Sequence, residues 1–273
     1  MRAMDLDQLH ELRTLELQRV WPALPRGGRI LEIGAGAGWQ AKALADQGFA
    51  VEAVDIEGSR YAQQRVWPVR IYDGQHLPFA DGFFDVVFSS NVLEHIAHVD
   101  EFQSEIRRVL TSNGSAVHVV PTACWRFWTL VTFYVTLPRR LLLAAVARWK
   151  RRGRSASSAA EVALRAEVDG AEKARAQQPA VSGPRRLLAV LVPSRHGVAG
   201  NAVSELYLFS RFRWTTLFRR TGWKILECYP ARLLYTGHSL LGGWLPVGPR
   251  HILSYLLGSS CRVYVLGVKP GGS

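Results

Sequence analysis

Short apolar runs alternate with stretches of helical spacing through the first 120 residues. Arg29–Ile33 is apolar and runs into glycines, and Trp39–Gln47 behind it has helical spacing. Ala50–Val54 is followed by Asp55, and Val69–Tyr72 ends at Asp73. Phe83–Ser89 is rich in β-formers. Glu101–Leu110 sets Phe102, Ile106, Val109 and Leu110 on one helical face, and Ser115–Val120 follows a turn at Ser112-Asn113-Gly114. This alternation predicts βαβ units and a parallel sheet. Ligands of such sheets sit beyond the carboxyl ends of the strands. The glycines, Asp55, Asp73 and Asn91 all fall at such ends.

The pattern changes after Pro121. Trp125–Leu137 is aromatic and apolar apart from Arg126, Pro138 is expected to break it, and Leu141–Val146 resumes it. As a helix the first piece is about 20 Å long, short of the roughly 30 Å hydrocarbon core of a bilayer. A helix in the membrane interface, or a shallow re-entrant pair, fits better, with tryptophans at headgroup depth. Residues 151–183 are rich in Ala, Ser, Arg and Gln and read as a loop, with Ser158–Glu161 as a capping box for a short helix. Arg211–Arg220 with Gly222 behind it reads as a capped helix. Trp223–Tyr229 and Cys261–Gly267 read as strands. The connection 233–260 between them is long, apolar and glycine-rich, which suits a lid over a hydrophobic substrate.

Charge divides the chain in the same place. Residues 1–120 hold 11 Lys and Arg against 16 Asp and Glu, and residues 121–273 hold 23 against 6. Arg148, Lys150, Arg151, Arg152 and Arg154 follow the aromatic run directly, and no acid occurs from Ala123 to Ala160. Such a half suits a polyanionic surface, either anionic lipid or nucleic acid. Three separated cysteines, Cys124, Cys228 and Cys261, exclude a disulfide framework and a CxxC zinc knot, and fit a reducing compartment. The opening MRAMDLDQLHELR alternates charges without an apolar run, so no secretory leader is expected.

The loop Leu31–Gln40 spaces its glycines as G-x-G-x-G, with Glu32 just upstream. A dinucleotide fingerprint needs G-x-G-x-x-G, whose third glycine falls on Trp39 here. Glycine lets a backbone turn sharply and lets a ligand approach. An acid beside the turn repels a pyrophosphate and suits an ammonium group, while Asp55 is placed for ribose hydroxyls. The loop therefore favours a nucleoside with a cationic amino-acid tail.

With ILEIGAGAG, VEAVDIEG, YDGQHLPFADGFFDVVFSSNVLEHI and EIRRVLTSNGSAVHVV in order, residues 28–121 resemble the class I S-adenosylmethionine-dependent methyltransferases of the small-molecule or lipid type. The resemblance implies an α/β, Rossmann-like, seven-stranded sheet, mostly parallel with the last strand antiparallel. Residues 1–121 and 201–273 would build it, with residues 122–200 as an insertion after the fifth strand. It implies S-adenosylmethionine as cofactor. Glu32, Gly34, Gly36 and Gly38 would line the methionine part, Asp55 would hold the ribose, Asp73 and Gly74 would meet the adenine, Asn91 would lie beside the sulfonium, and Ala35 and Ile56 would also contact the cofactor.

On the acceptor side His95 is the nearest candidate base, with Tyr235 and His238 as polar contacts from the lid. One branch of the family, typified by ubiquinone-pathway O-methyltransferases, binds a divalent metal with two glutamates and a histidine in this segment. Glu94 and His95 match, but Asn91 replaces the first glutamate, so no metal is expected. The reading is a methyltransferase acting on a lipid, lipid-linked or other hydrophobic acceptor at the cytoplasmic face of a membrane. The alternatives are a soluble RNA methyltransferase using the basic half as its footprint and a non-catalytic cofactor-binding scaffold. Apolar residues interleaved with the charges, and no visible RNA-binding module, weigh against nucleic acid.

Overall fold

The computed structural model describes residues 6–59, 61–154, 191–236 and 247–268. One sheet holds seven strands: β1 (Arg29–Ile33), β2 (Ala50–Ile56), β3 (Arg70–Tyr72), β4 (Phe84–Ser90), β5 (Leu110–Pro121), β6 (Trp223–Pro230) and β7 (Cys261–Val268). Their order is β3-β2-β1-β4-β5-β7-β6. The first five strands pair in parallel, and β7 runs antiparallel to both β5 and β6. The order reverses between β1 and β4, the switch point where a crevice opens at the carboxyl ends.

The central strands β1 and β4 are nearly continuous apolar runs because both faces of the sheet are covered there. Along β4, Val87 enters one core with Leu31, Phe102, Ile106, Leu217 and Phe218. Its neighbours Val86 and Phe88 enter the other with Leu17, Val20, Leu44 and Val119. Side chains of a strand alternate in this way. The helices supplying these partners are α1 (Leu6–Val20), α2 (Trp39–Ala45), α3 (Val99–Val109) and α6 (Arg211–Arg220). Helix α6 starts at Ser210, whose side chain accepts from the Arg213 N–H, an N-cap that the sequence reading omits.

Three features differ from expectation. Helix α1 is new: its leucines at 6, 9, 12 and 15 recur every third residue, a spacing obscured by the charges between them. Strand β5 starts at Leu110, and the pairing steps from Phe84↔Leu110 to Val86↔Ser115. Ser112-Asn113-Gly114 is thus a bulge within the strand rather than a turn before it. The third feature is α4, which runs unbroken from Ala123 to Arg154 through Pro138. The Thr136 hydroxyl reaches the carbonyls of Thr132 and Phe133 at 2.7 and 3.0 Å, taking up acceptors in the turn ahead of the proline.

The chain divides into two compact units, one of residues 1–129 and 195–273, the other of residues 130–194. The first contains the sheet. Of the second, the described part is chiefly the continuation of α4. Further along the chain lie α5 (Ser204–Leu208) and α7 (Val247–Leu257).

Trp223 is fully buried at the start of β6, and its indole N–H donates to Gln103 Oε1 at 2.9 Å. Trp223→Ala opens a cavity and strands the amide oxygen. It is expected to lower stability by about 3–5 kcal/mol in urea denaturation.

Candidate active site

The loop from β1 to α2 is held by backbone bonds to the neighbouring strand. The N–H groups of Gly34 and Ala35 donate to the Val54 carbonyl at 2.8 and 3.1 Å. Gly34 has φ +71°, and a Cβ there would stand 2.4 Å from Val92 Cγ2. A side chain is therefore excluded by the chain's own packing onto the segment after β4. Gly36, at φ +58°, donates its N–H to Asp55 Oδ2 at 3.1 Å. The other oxygen of Asp55 accepts the Ile56 N–H at 2.8 Å. Asp55 is thus fixed and buried at the end of β2, with acceptor capacity left over.

Glu32 lies one strand away and is buried, with Oε2 lacking a hydrogen-bond partner among the described residues. Burial pushes its carboxyl up to about 8, against the opposing pull of Arg13 and a backbone hydrogen bond from Ala41, while nearby Asp55 adds to the rise. A buried acid with an unpaired oxygen beside an open loop is a receptor for a cationic group. The donor set suits the ammonium of a methionine tail and the diol of a ribose. The residues present fit S-adenosylmethionine on that observation.

Asp73 follows β3. Its carboxylate accepts the N–H groups of Gln75 and His76 at 2.7 Å each, and pairs with His76 Nδ1 at 2.8 Å. These bonds, from His76 first, hold it down to about 2. Asp73 therefore shapes its own turn, and Gly74 beside it stands against Ile56, which is half-exposed.

Asn91 follows β4 with φ +54°, one of two non-glycine residues with positive φ among those described. Such strain persists only where surroundings enforce it. Here the Asn91 N–H donates to the Val119 carbonyl at 2.8 Å, and its side-chain amide donates to Glu16 Oε1 at 2.9 Å. Glu16 comes from α1 and is buried. It also accepts from Arg13 Nη1 and Ser90 Oγ, both at 2.6 Å, and from the Tyr235 hydroxyl. Tyr235 Oη lies 3.1 Å from Cys261 Sγ as well. The Tyr235 hydroxyl is thus joined to α1 through Glu16, the same side chain that holds Ser90 and Asn91 at the end of β4. His238 lies outside the described residues.

His95 ends a short 3-10 turn, Leu93–His95. Burial lowers its imidazole below the ordinary histidine value, partly opposed by Glu94. The neutral ring keeps a lone pair at pH 7. His196 stands beside it, ring centroids 4.9 Å apart, and Trp125 packs edge-on to His196 at 4.6 Å. Arg13, Glu16, Ser90 and His196 are members of this site that sequence reasoning missed. The three-residue leucine spacing around Glu16 was the available signal; His196 sits in a turn-rich stretch that offered none.

A family model described as a methyltransferase domain matches residues 31–118. The chain is 30% identical over 142 residues to the ubiquinone/menaquinone biosynthesis C-methyltransferase of Ralstonia pickettii, covering 45% of this chain and 58% of that protein. It is 32% identical over 125 residues to the malonyl-[acyl-carrier protein] O-methyltransferase of Geobacter sulfurreducens, covering 41% and 47%. The chain thus spans about half the length of these curated relatives. An S-adenosylmethionine-dependent methyltransferase from Mesorhizobium loti shares the fold at TM-score 0.50 and 14% identity, over 92% of this chain and 99% of that one.

The raised Glu32 carboxyl sets a pH dependence. Between its ordinary value of 4.5 and about 8 the folded state holds more protons than the unfolded state, so stability falls as pH rises through that window. Glu32→Gln is expected to remove this fall, a difference on the order of a few kcal/mol by pH 8 in cofactor-free protein. Denaturation curves at pH 5 and pH 8 measure it. Equal slopes for both proteins would contradict the assignment.

Proposed function

We propose that this chain, whose residues 31–118 match a family model described as a methyltransferase domain, is a class I S-adenosylmethionine-dependent methyltransferase that methylates a hydrophobic, lipid-like or carrier-linked acceptor at the cytoplasmic face of a membrane. The observation that carries methyl transfer is the buried Glu32 carboxyl, one oxygen of which has no partner among the described residues, beside Asp55 and the strained Asn91. The two acids stand toward the carboxyl ends of the adjacent strands β1 and β2, and Asn91 follows β4 across the switch point. S-adenosylmethionine, when bound, supplies a methyl group on a sulfonium to an in-line acceptor.

The chain's residues then position the partners, the chief contribution available to such a displacement. Glu32 takes the ammonium and Asp55 the ribose hydroxyls, while Ile56 and Gly74 flank the adenine. Asn91, locked by Glu16, borders the reacting end. Tyr235 limits the acceptor space from the lid side, and His95 offers a lone pair to an acceptor hydroxyl. His238 belongs to the same proposed lid.

An apolar acceptor is supported by relatives named for ubiquinone/menaquinone biosynthesis and for malonyl-[acyl-carrier protein]. Membrane association is supported by exposed apolar side chains on two helices. On α4 they include Phe127, Tyr134, Val135 and Leu142, the last at 65% exposure, and on α7 Ile252, Tyr255 and Leu256, the last at 79%. The α7 residues keep i, i+3, i+4 spacing and form one face. Among the described residues no helix is long and apolar enough to cross a membrane. The proposed placement is interfacial, with the basic residues 148–154 drawn to anionic headgroups. Apolar faces of this kind favour lipid over RNA.

Calorimetry with S-adenosylmethionine is expected to show one site, weakened about 10- to 100-fold by Asp55→Ala through loss of charge-assisted bonds. No heat from the unaltered protein would sink the reading. Mass spectrometry of lipid extracts is expected to show a product heavier by one methylene only where the protein is expressed. In liposome flotation the protein is expected to rise with anionic vesicles and to resist release by salt alone. Replacing Arg148, Lys150, Arg151, Arg152 and Arg154 together by Gln should weaken that attachment. A protein left at the bottom at low salt refutes the membrane claim.

A further inference from the structure

We propose that Glu94, His95 and His196 form a binding site for one divalent first-row transition ion. The Glu94 side chain is fully enclosed, and neither carboxylate oxygen has a hydrogen-bond partner among the described residues. Its Oε1 lies 3.8 Å from His95 Nε2 and 3.7 Å from His196 Nε2. One ligand atom from each of the three residues falls within 4.8 Å of the others. A buried carboxylate with no donor is costly, and it is aimed here at two imidazole nitrogens.

His196 reaches this position through a separate scaffold. Glu205 Oε1 accepts the N–H groups of His196 and Gly197 at 2.6 and 2.8 Å, and its Oε2 pairs with Arg126 Nε at 2.9 Å. The Val198 N–H donates to the Glu94 carbonyl at 3.1 Å. A Cβ on residue 197 would stand 2.8 Å from that same carbonyl, so glycine alone lets the segment lie this close. A buried ion pair from α4 and α5 thus fixes a histidine against a motif at the end of β4. This third donor stands in for the acid that Asn91 lacks.

Two imidazoles and one carboxylate select a zinc-, manganese-, iron- or cobalt-class ion over magnesium or calcium, which prefer oxygen donors throughout. Bonds of about 2.0–2.1 Å place neighbouring donors about 3–3.5 Å apart, so each side chain closes by less than about 1 Å. Both imidazoles are part-exposed, at 46% and 38%, which leaves coordination positions open. If the methyl-transfer reading holds, on which this step rests, an acceptor hydroxyl enters there. There the cation would lower the cost of passing the hydroxyl proton to bulk water, as the oxygen takes the methyl group and the sulfonium leaves as a neutral thioether. His95 is then a ligand rather than the proton acceptor.

The test uses the full chain stripped by a chelator. It is titrated with Co²⁺ alone while the visible bands of the ion are followed, then with competing Zn²⁺, and separately with S-adenosylmethionine by calorimetry. One equivalent of Co²⁺ is expected, displaced by Zn²⁺. His196→Ala and Glu94→Gln should each weaken it at least about 10-fold, and His196→Ala should leave S-adenosylmethionine affinity unchanged. His196→Gln, closer in volume, repeats the measurement if the alanine variant loses its fold. Equal Co²⁺ affinity in the variants, or no Co²⁺ uptake by protein that binds S-adenosylmethionine, overturns the site. Stoichiometric Co²⁺ sensitive to the variants, with no S-adenosylmethionine binding, upholds the site and removes the methyl-transfer reading instead.

Discussion

The carboxyl edge of the sheet rests on one buried carboxylate and the four donors around it. Glu16 accepts from Arg13 on its own helix, from Ser90 and Asn91 at the end of β4, and from Tyr235 at the start of the 233–260 connection. Three segments far apart in sequence are pinned to one side chain. Removing any donor leaves the others around an under-satisfied acid in a low-dielectric site, where such losses are large. The left-handed backbone of Asn91 is held from the same point. Helix α1 is therefore part of the site as well as of the core.

Two other buried acids at this edge lack that satisfaction. Glu32 keeps an unpaired oxygen, and Glu94 keeps two. Proteins seldom retain buried carboxylates without donors, because desolvation is not offset. A fully built acid beside two incomplete ones separates what holds the structure from what receives a ligand. Glu32 opens beside a loop and a ribose-type acid, which suits an ammonium. Glu94 faces two imidazoles, which suits a metal ion.

The sheet was legible because parallel strands covered on both faces appear as uninterrupted apolar runs. Phe83–Ser89 was found that way, to within a residue of β4, while Trp223–Tyr229 and Cys261–Gly267 were legible from their apolar residues although β6 and β7 pair antiparallel. The glycines, Asp55 and Asn91 were legible as residues at strand ends, although Gly34 turns out to serve packing against Val92. Helix α1 escaped because charged residues dilute its leucines, and Glu16 cannot be valued until its distant donors are in place. His196 escaped for a similar reason: its role depends on Glu205, Arg126 and Gly197 bringing it across to Glu94. The unbroken α4 shows a local rule giving way at Pro138, where the Thr136 hydroxyl bonds the carbonyls of Thr132 and Phe133 in the preceding turn.

The most direct measurement is a crystal structure of the full chain with S-adenosylhomocysteine. The account predicts the ligand across the ends of β1, β2 and β4. Its amino group should lie against Glu32, its ribose hydroxyls on Asp55, and its sulfur toward Asn91. A ligand seated elsewhere, or one leaving Glu32 and Asp55 without contact, would contradict it.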